Sequence, residues 1–595
     1  MILQALAQYY DALVSKGEME RPGWLKERVS WLLEVDAAGA PIRVAPLETS
    51  VQKGNKLVTE PQLMLLPARV KRSSGVASNY LSDNSTYILG FNAKDRPERR
   101  AQCFDACKSM HLQLLEELTH PAAQAVCAFF NGWKPENAQE HPVLKDSLEE
   151  IAKGGNIVFY YDGEFVHEIP CVKSSWDQYY QKDDALPLRR CLVTGEKASI
   201  AVLHPSIKGV IGAQSSGASL VSFNASAYDS YAPAFEKYGL KMAQGMNAPV
   251  SKQAAFAYGA ALNYLLSKTK TGGYKSNLIR LDDMSIVFWA EGGAEQYPDM
   301  FRFFMNGDID DDPEKNVRDV LTRLVSGRSA SWQGQPLDPN NRFYILGISP
   351  NAARLSVRFF LQDTFGFVMG NVAAHQKRLE IVKPSYKTLD SLPMWILLRE
   401  TANQKSKDKK APPVLAGELM RAVLNNTPYP AALYEQIEMR IRAEKDVPWE
   451  KASIIKAYFM KNLSDQLPKE VMEVNLNEET NYQPYVLGRL FSVLEGLQNA
   501  ANGDTNTTIR DRYFNSACAT PAIVFPTLVR LAQAHLKKLT VPNKVYYYNR
   551  LLTDLIGRMN SEYPKHLSLN DQGVFQIGYY HQTQKRFTKE ETENV

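Results

Sequence analysis

Apolar residues recur three and four positions apart at Leu3, Leu6, Tyr10 and Leu13, the spacing of a helix with one buried face, and predict helix through the first 35 residues. From about residue 29 to residue 66 the texture changes to short β-like runs, Trp31-Leu32-Leu33 and Leu63-Met64-Leu65-Leu66 among them, broken by Gly and Pro. Helical spacing returns over 97–130. Strand-like runs then stand at 156–161, 199–203, 286–290 and 342–348, with helical patterns between them at 254–266 and 316–324. Alternation of this kind predicts mixed α/β layering rather than a bundle.

The pattern shifts again after Lys405-Ser406-Lys407-Asp408-Lys409-Lys410-Ala411-Pro412-Pro413, a polar, charged run closed by two prolines. Beyond it the helical period holds in 415–424, 431–444, 449–463, 484–497, 522–538 and 544–559. The expected fold class is therefore α+β. A large mixed α/β region spans 1–400, a linker 401–413 and an all-helical bundle 414–595. No fixed-period repeat or low-complexity tract interrupts this plan.

Composition narrows the function classes. With 44% hydrophobic and 23% charged residues in 595, the chain has ordinary globular proportions, which excludes a mainly disordered or fibrous protein. Lys and Arg number 69 against 65 Asp and Glu, a net charge of +4, so any nucleic-acid contact must come from local patches rather than a basic coat. Six cysteines are too few for a disulfide scaffold, and the N-terminus, with an early Asp11 and no basic start, does not read as a signal peptide. The longest charge-free stretch, 209–228, is rich in Gly, Ser, Asn and Gln and is unsuited to a bilayer. A cytoplasmic protein without a membrane association is expected.

Enzyme signatures are mostly missing. There is no G-x-x-x-x-G-K-[ST] phosphate loop and no G-x-S-x-G elbow. His167-Glu168-Ile169-Pro170-Cys171 opens like a zincin motif, but Cys stands where the second His is needed and Pro170 forbids the continuous helix. Cys103 and Cys107 share a helical face and read as buried thiols; adding Cys171 and Cys191 makes only a weak zinc pattern. The run Asp308-Ile309-Asp310-Asp311-Asp312-Pro313 has the carboxylates for Mg²⁺, but a solvated capping loop explains it as well. Ser215-Ser216 has no evident His/Asp partnership.

Charge bookkeeping is more informative. Residues 197–280 carry nine basic side chains against Asp229 and Glu236, a local +7 that exceeds the charge of the whole chain. The small, amide- and hydroxyl-rich stretch 209–228 lies within it, and such a loop lets backbone N–H groups approach phosphates closely. A second polar-basic loop runs over 69–80, in a stretch (52–80) with five basic residues against Glu60; Tyr80 there has the choice of wedging at a base step or joining the core. In a third, 349–358, Leu355 and Val357 alternate with Arg354, Ser356 and Arg358, as in a strand with one wet basic face.

These loops also carry a resemblance. MILQALAQYYDAL (1–13), KRSSGVASNYLSDNSTYILG (71–90), CLVTGEKASIAVLHPSIKGVIGAQSSGASLVSFNASAYDSY (191–231), NAPVSKQAAFAYGAALNYLL (247–266) and FYILGISPNAARLSVRFF (343–360) together resemble the large subunit of a type I-C CRISPR Cascade, the Csd-one family. The resemblance implies a non-catalytic subunit, with no cofactor. Such a subunit reads the protospacer-adjacent motif on duplex DNA, promotes duplex opening and R-loop formation, and holds the displaced strand. The implied partners are crRNA, the Cascade backbone and crRNA-handle-binding subunits, and an effector helicase–nuclease. A further one is a helical small subunit begun internally at Met472, 124 residues long, or at Met460. Within that frame, side-chain chemistry assigns Lys71, Arg72, Ser73, Ser74 and Asn79 to the motif duplex. It places Gln214, Ser215, Ser216 and Asn224 on a second DNA-facing loop, and Arg354 and Arg358 at phosphates or the crRNA side. In the C-terminal helices Arg489, Arg510, Arg512, Arg530, Lys537 and Lys538 suit tracking of a single strand. Two other readings compete: a metal-dependent nuclease or guide-processing enzyme using the 308–312 acids, and a purely structural scaffold.

Overall fold

A computed structural model describes residues 1–593 apart from 54–55, 70–75, 93–94, 182–187, 224–244, 269–275, 308–316, 390, 404, 408–409, 413 and 504–506. It divides into two compact units, one made of 1–205 with 221–261 and the other of 206–220 with 262–595.

The first unit opens with the helix Ile2–Ser15, which ends where Gly17 takes a φ of 71°. The helix expected through residue 35 therefore stops early, and Trp24–Val29 is already a strand. Trp24–Val29 pairs antiparallel with Lys56–Pro67, which also pairs with Glu48–Lys53. A second sheet runs Pro41–Pro46, Trp31–Val35, Ile157–Tyr161 and Ser82–Asp83, with Glu164–Phe165 paired to Ile157–Tyr161. Helices Pro97–Leu115 and Pro121–Gly132 cover it, and Phe129, Phe130, Phe159 and His111 meet edge to face in the core. Gly39 is required here: a Cβ would stand 2.1 Å from the backbone nitrogen of Phe129.

The second unit is built on a six-stranded sheet in the order Ser206–Ile207, Ala218–Ser219, Arg354–Thr364, Arg342–Asn351, Met284–Ala290 and Leu278–Leu281. Every pairing is antiparallel except that of Ala218–Ser219 with Arg354–Thr364. Helices from Gln296–Asn306 onward pack on it, and one core joins Met284, Phe343 and Phe359 of the sheet to Leu419, Leu490 and Phe575 of the helices. The α+β class is thus as read from the sequence. The segment 401–413 lies inside this unit, because Leu397 before it and Leu419 after it belong to the same core. Thr401 and Ala402 are buried, while Asn403, Lys405, Ser406, Lys407 and Lys410 are exposed.

The helices after residue 414 match their hydrophobic period closely: Leu415–Leu424, Ala431–Glu444, Trp449–Asn462, Gln483–Asn502, Pro521–Lys538 and Pro542–Gly557. Two more, Ile509–Ala519 and the 25-residue Leu569–Glu593, carry no clear apolar stripe. Gln483–Asn502 and Leu569–Glu593 touch backbone to backbone. A Cβ on Gly488 would fall 1.9 Å from the Phe575 carbonyl oxygen, and one on Gly578 2.3 Å from that of Tyr485. Buried polar groups fasten the pair: Tyr485 Oη to His581 Nδ1 at 2.8 Å, Arg489 Nε to Gln582 Oε1 at 3.1 Å and Tyr579 Oη to Glu495 Oε2 at 2.7 Å.

Two predictions follow from this packing. Gly488→Ala or Gly578→Ala forces the helices apart and costs about 2 kcal/mol or more, read as a lowered urea midpoint; an unchanged midpoint refutes the contact. Burial also holds imidazoles neutral, lowering His111 to about 4 and His375 and His581 to about 3. The unfolded chain takes up these protons below its ordinary pKa near 6.5 while the folded chain does not. Their stability contribution is whole above about pH 6.5 and falls with acidification, by about 1.4 kcal/mol per pH unit for each histidine. Thermal melts between pH 7.5 and 5 measure it.

Candidate nucleic-acid interface

The stretch 209–217 forms the tip of a hairpin whose arms, Ser206–Ile207 and Ala218–Ser219, extend the sheet. Ser219 is the register partner of Arg354, and its N–H donates to the Ala353 carbonyl at 3.0 Å. Glycine is needed at two bends. Gly209 has a φ of 86° with its would-be Cβ 2.9 Å from the Leu266 carbonyl oxygen, and Gly217 has a φ of 102° against Ser206 Cβ at 2.9 Å. The base of the loop is tied down: the Lys208 N–H donates to Asn263 Oδ1 at 2.8 Å, and Arg280 Nη2 to the Gly209 carbonyl at 2.9 Å. A turn, Gly217 N–H to the Gln214 carbonyl at 2.9 Å, then presents Gln214, Ser215 and Ser216 as exposed residues.

The structure therefore brings Gln214, Ser215 and Ser216 to the same edge as half-buried Arg354, two clusters 140 residues apart in the chain. Asn224 lies outside the described residues. Arg358 is not in step with Arg354. A register shift at Gly347/Ile348 pairs Ile348 with Val357 and Gly347 with Phe359, leaving Arg358 as the extra residue of a bulge. The single wet basic face expected over 354–358 is broken there. Val357, expected on the dry face with Leu355, is 42% exposed, and Arg358 lies in a cleft with Asp283 at 3.9 Å and the start of helix Leu415–Leu424.

Of the other proposed motif loop, Lys71, Arg72, Ser73 and Ser74 lie outside the described residues. Its flanks are clear. Arg69 pairs with Glu27 at 3.1 Å, and the returning chain is buried from Ser78 to Asp83. Asn79, assigned to base reading, is 5% exposed; its N–H donates to Asp83 Oδ2 at 2.9 Å, which makes it an anchor of the loop rather than its reading edge. Tyr80 is fully buried, stacked on Trp176 at 5.4 Å with its hydroxyl 3.1 Å from Ser175 Oγ, and is a core residue rather than a wedge. Leu81, at a φ of 60°, is held by His111 Nε2, which accepts its N–H at 2.9 Å.

Two sequence blocks far apart also meet at Cys191. Its Sγ accepts from the N–H groups of Val193 at 3.3 Å and Ser251 at 3.2 Å. Burial pushes this thiol up, but the hydrogen bonds from Ser251 and Thr194 outweigh it and hold it near 7. The Leu192 N–H to Pro249 carbonyl bond, 2.8 Å, continues the seam between CLVTGE and NAPVS. No composition or motif signal pointed to this contact.

Cys103 and Cys107 are buried in helix Pro97–Leu115, as expected, and no three His, Cys, Asp or Glu among the described residues are placed to share a metal. The acids at 308–312 lie outside the described residues. Among the C-terminal basics, Arg489 is 2% exposed and bonded to the Asn477 and Glu478 carbonyls, so it is structural. Arg510 pairs with Asp446 at 3.1 Å and Glu495 at 3.6 Å, whereas Arg512, Arg530, Lys537 and Lys538 are exposed. No described helix is long and apolar enough to cross a membrane.

A chain with this extent of family-like blocks and with such loops on a mixed sheet is a CRISPR-associated protein. It belongs to the Cas_Csd1 family, whose profile matches residues 6–587. A search of curated proteins returns no match.

Tyr80 separates anchor from reader experimentally. Tyr80→Ala costs about 3–5 kcal/mol of stability, and Tyr80→Phe, losing only the hydroxyl contact, costs about 1 kcal/mol. A Tyr80→Ala variant with an unchanged melting curve overturns the anchoring role.

Proposed function

We propose that this chain is the non-catalytic large subunit of a type I-C crRNA-guided surveillance complex in antiviral defence. It recognises the protospacer-adjacent motif on double-stranded DNA, promotes duplex opening and R-loop formation, stabilises the displaced strand and helps recruit the effector helicase–nuclease. Guide pairing then reads the target sequence, while the protein reads the short flanking motif and the backbone. The observation that carries this reading is the exposed Gln214-Ser215-Ser216 tip, joined to the sheet beside Arg354 through the Ser219–Arg354 pair, in a Cas_Csd1 family member. Short hydroxyl and amide side chains on a fixed turn approach a groove closely, and an adjacent guanidinium supplies the phosphate contact that sets the register.

The partners in this reading are crRNA, the target duplex and its displaced strand, the backbone and crRNA-handle-binding subunits, and the helicase–nuclease. Exposed Arg512, Arg530, Lys537 and Lys538 support tracking of a single strand. A separate helical small subunit fits a start at Met472 better than at Met460. Met472 closes the short turn Lys469–Met472 ahead of Gln483–Asn502, whereas Met460 lies inside helix Trp449–Asn462 and a start there would cut it.

The test uses the assembled complex and target duplexes with and without the motif. Arg354→Ala weakens binding to both and flattens the plot of log affinity against log salt by about one unit of slope, as for one lost phosphate contact. Gln214→Ala with Ser215→Ala and Ser216→Ala removes about 1–3 kcal/mol of motif discrimination. Lys71→Ala with Arg72→Ala abolishes motif-dependent binding while the guide complex still assembles. Unchanged binding in both loop variants sinks the reading.

A further inference from the structure

The helical part of the second unit holds a pocket of about 300 Å³, away from the sheet edge. Arg442 of helix Ala431–Glu444 and Asn515 of helix Ile509–Ala519 are exposed at its rim, with half-buried Ala519 beside them. Its floor sets the polar Gln572 and Gln576 beside the apolar Phe514 and Cys518. Gln576, 1% exposed, donates from Nε2 to Glu438 Oε2 at 2.9 Å, while Arg442 Nη2 donates to Gln572 Oε1 at 2.8 Å.

Two acceptors are left over. Gln576 Oε1, on the pocket wall, and Glu438 Oε1, one hydrogen bond behind it, are both buried and have no hydrogen-bond partner in the described structure. Leaving the Gln576 oxygen without a donor costs about 1–3 kcal/mol, so the pocket wall calls for an N–H group. An anion is disfavoured beside the Glu438 carboxyl, yet the rim carries the Arg442 cation. The complementary ligand turns an N–H edge inward and a negative charge outward. A nucleotide whose base bears an exocyclic amine has that polarity: cytosine N4 and adenine N6 donate to carboxylate and amide oxygens, while uracil and thymine present a carbonyl there.

We infer that this pocket receives an amine-bearing nucleobase, cytosine foremost, splayed from a single strand with its phosphate at Arg442. Only the source of the base rests on the strand-holding role proposed above; the recognition chemistry belongs to the pocket.

The experiment titrates the full-length chain with cytidine and uridine 5′-monophosphates, and with oligo-dC and oligo-dT of equal length. The expected result is roughly tenfold tighter binding of the cytidine nucleotide, the discrimination of one good base contact. Gln576→Leu removes that preference, and Arg442→Ala weakens the nucleotide without affecting cytidine. Ala519→Trp, at the rim, blocks binding with the melting curve unchanged. Equal binding of the two mononucleotides, as when a trapped water satisfies both oxygens, overturns the inference, and so does a preference that survives Ala519→Trp. Mononucleotide preference without oligonucleotide binding keeps the pocket and defeats the strand-holding role. Oligonucleotide binding with no dC preference does the reverse.

Discussion

The long antiparallel hairpin of Arg342–Asn351 and Arg354–Thr364 is the member on which the second unit depends. One edge pairs with Met284–Ala290, the other receives Ala218–Ser219, and Phe343, Ile345 and Phe359 face the helical core. Each main-chain hydrogen bond adds only about 1 kcal/mol net. The ladder's value is positional: a slip of one residue would turn its buried side chains toward water, so the register is strongly held. The Gln214–Ser216 tip inherits that fixity through one short pairing to Arg354.

The helical half achieves order by a different device. Polar groups are buried within its apolar core: Arg489 bonds Gln582, Tyr579 bonds Glu495 and Tyr485 bonds His581. Buried polar networks stabilise only when complete, because each orphaned group costs about as much as a good hydrogen bond contributes. The network of this half is not complete among the described residues: Gln576 Oε1 and Glu438 Oε1 lack a partner, and so do His581 Nε2, Gln582 Nε2 and Arg586 Nε.

How much of this was legible beforehand depended on which force writes its pattern locally. Helices such as Leu415–Leu424 and Ala431–Glu444 were readable to the residue because an apolar stripe repeats with the helical period. Leu569–Glu593 was not, since every residue from 572 to 582 is buried, Gln572, Gln576, His581 and Gln582 included, and these look like solvent residues in a sequence. Arg489 misled for the same reason. Of the candidate interface, the exposed tip at 214–216 was legible as a Gly-rich polar stretch. Its partnership with Arg354, the burial of Asn79 and the seam at Cys191 were not, because pairing between distant segments leaves no local period.

The bulge at Arg358 has a consequence for what this hairpin can cover. A strand that alternates strictly commits every second residue to one face along its whole length. The extra residue resets that phase, so Leu355 and Phe359, both buried, face opposite layers of the sheet. The half of the hairpin near the turn still buries Ile348, Ser349 and Leu355, but in the opposite phase. One surplus amino acid thus lets a single strand serve two layers, Phe359 turned to the helical core and Leu355 to the other side of the sheet.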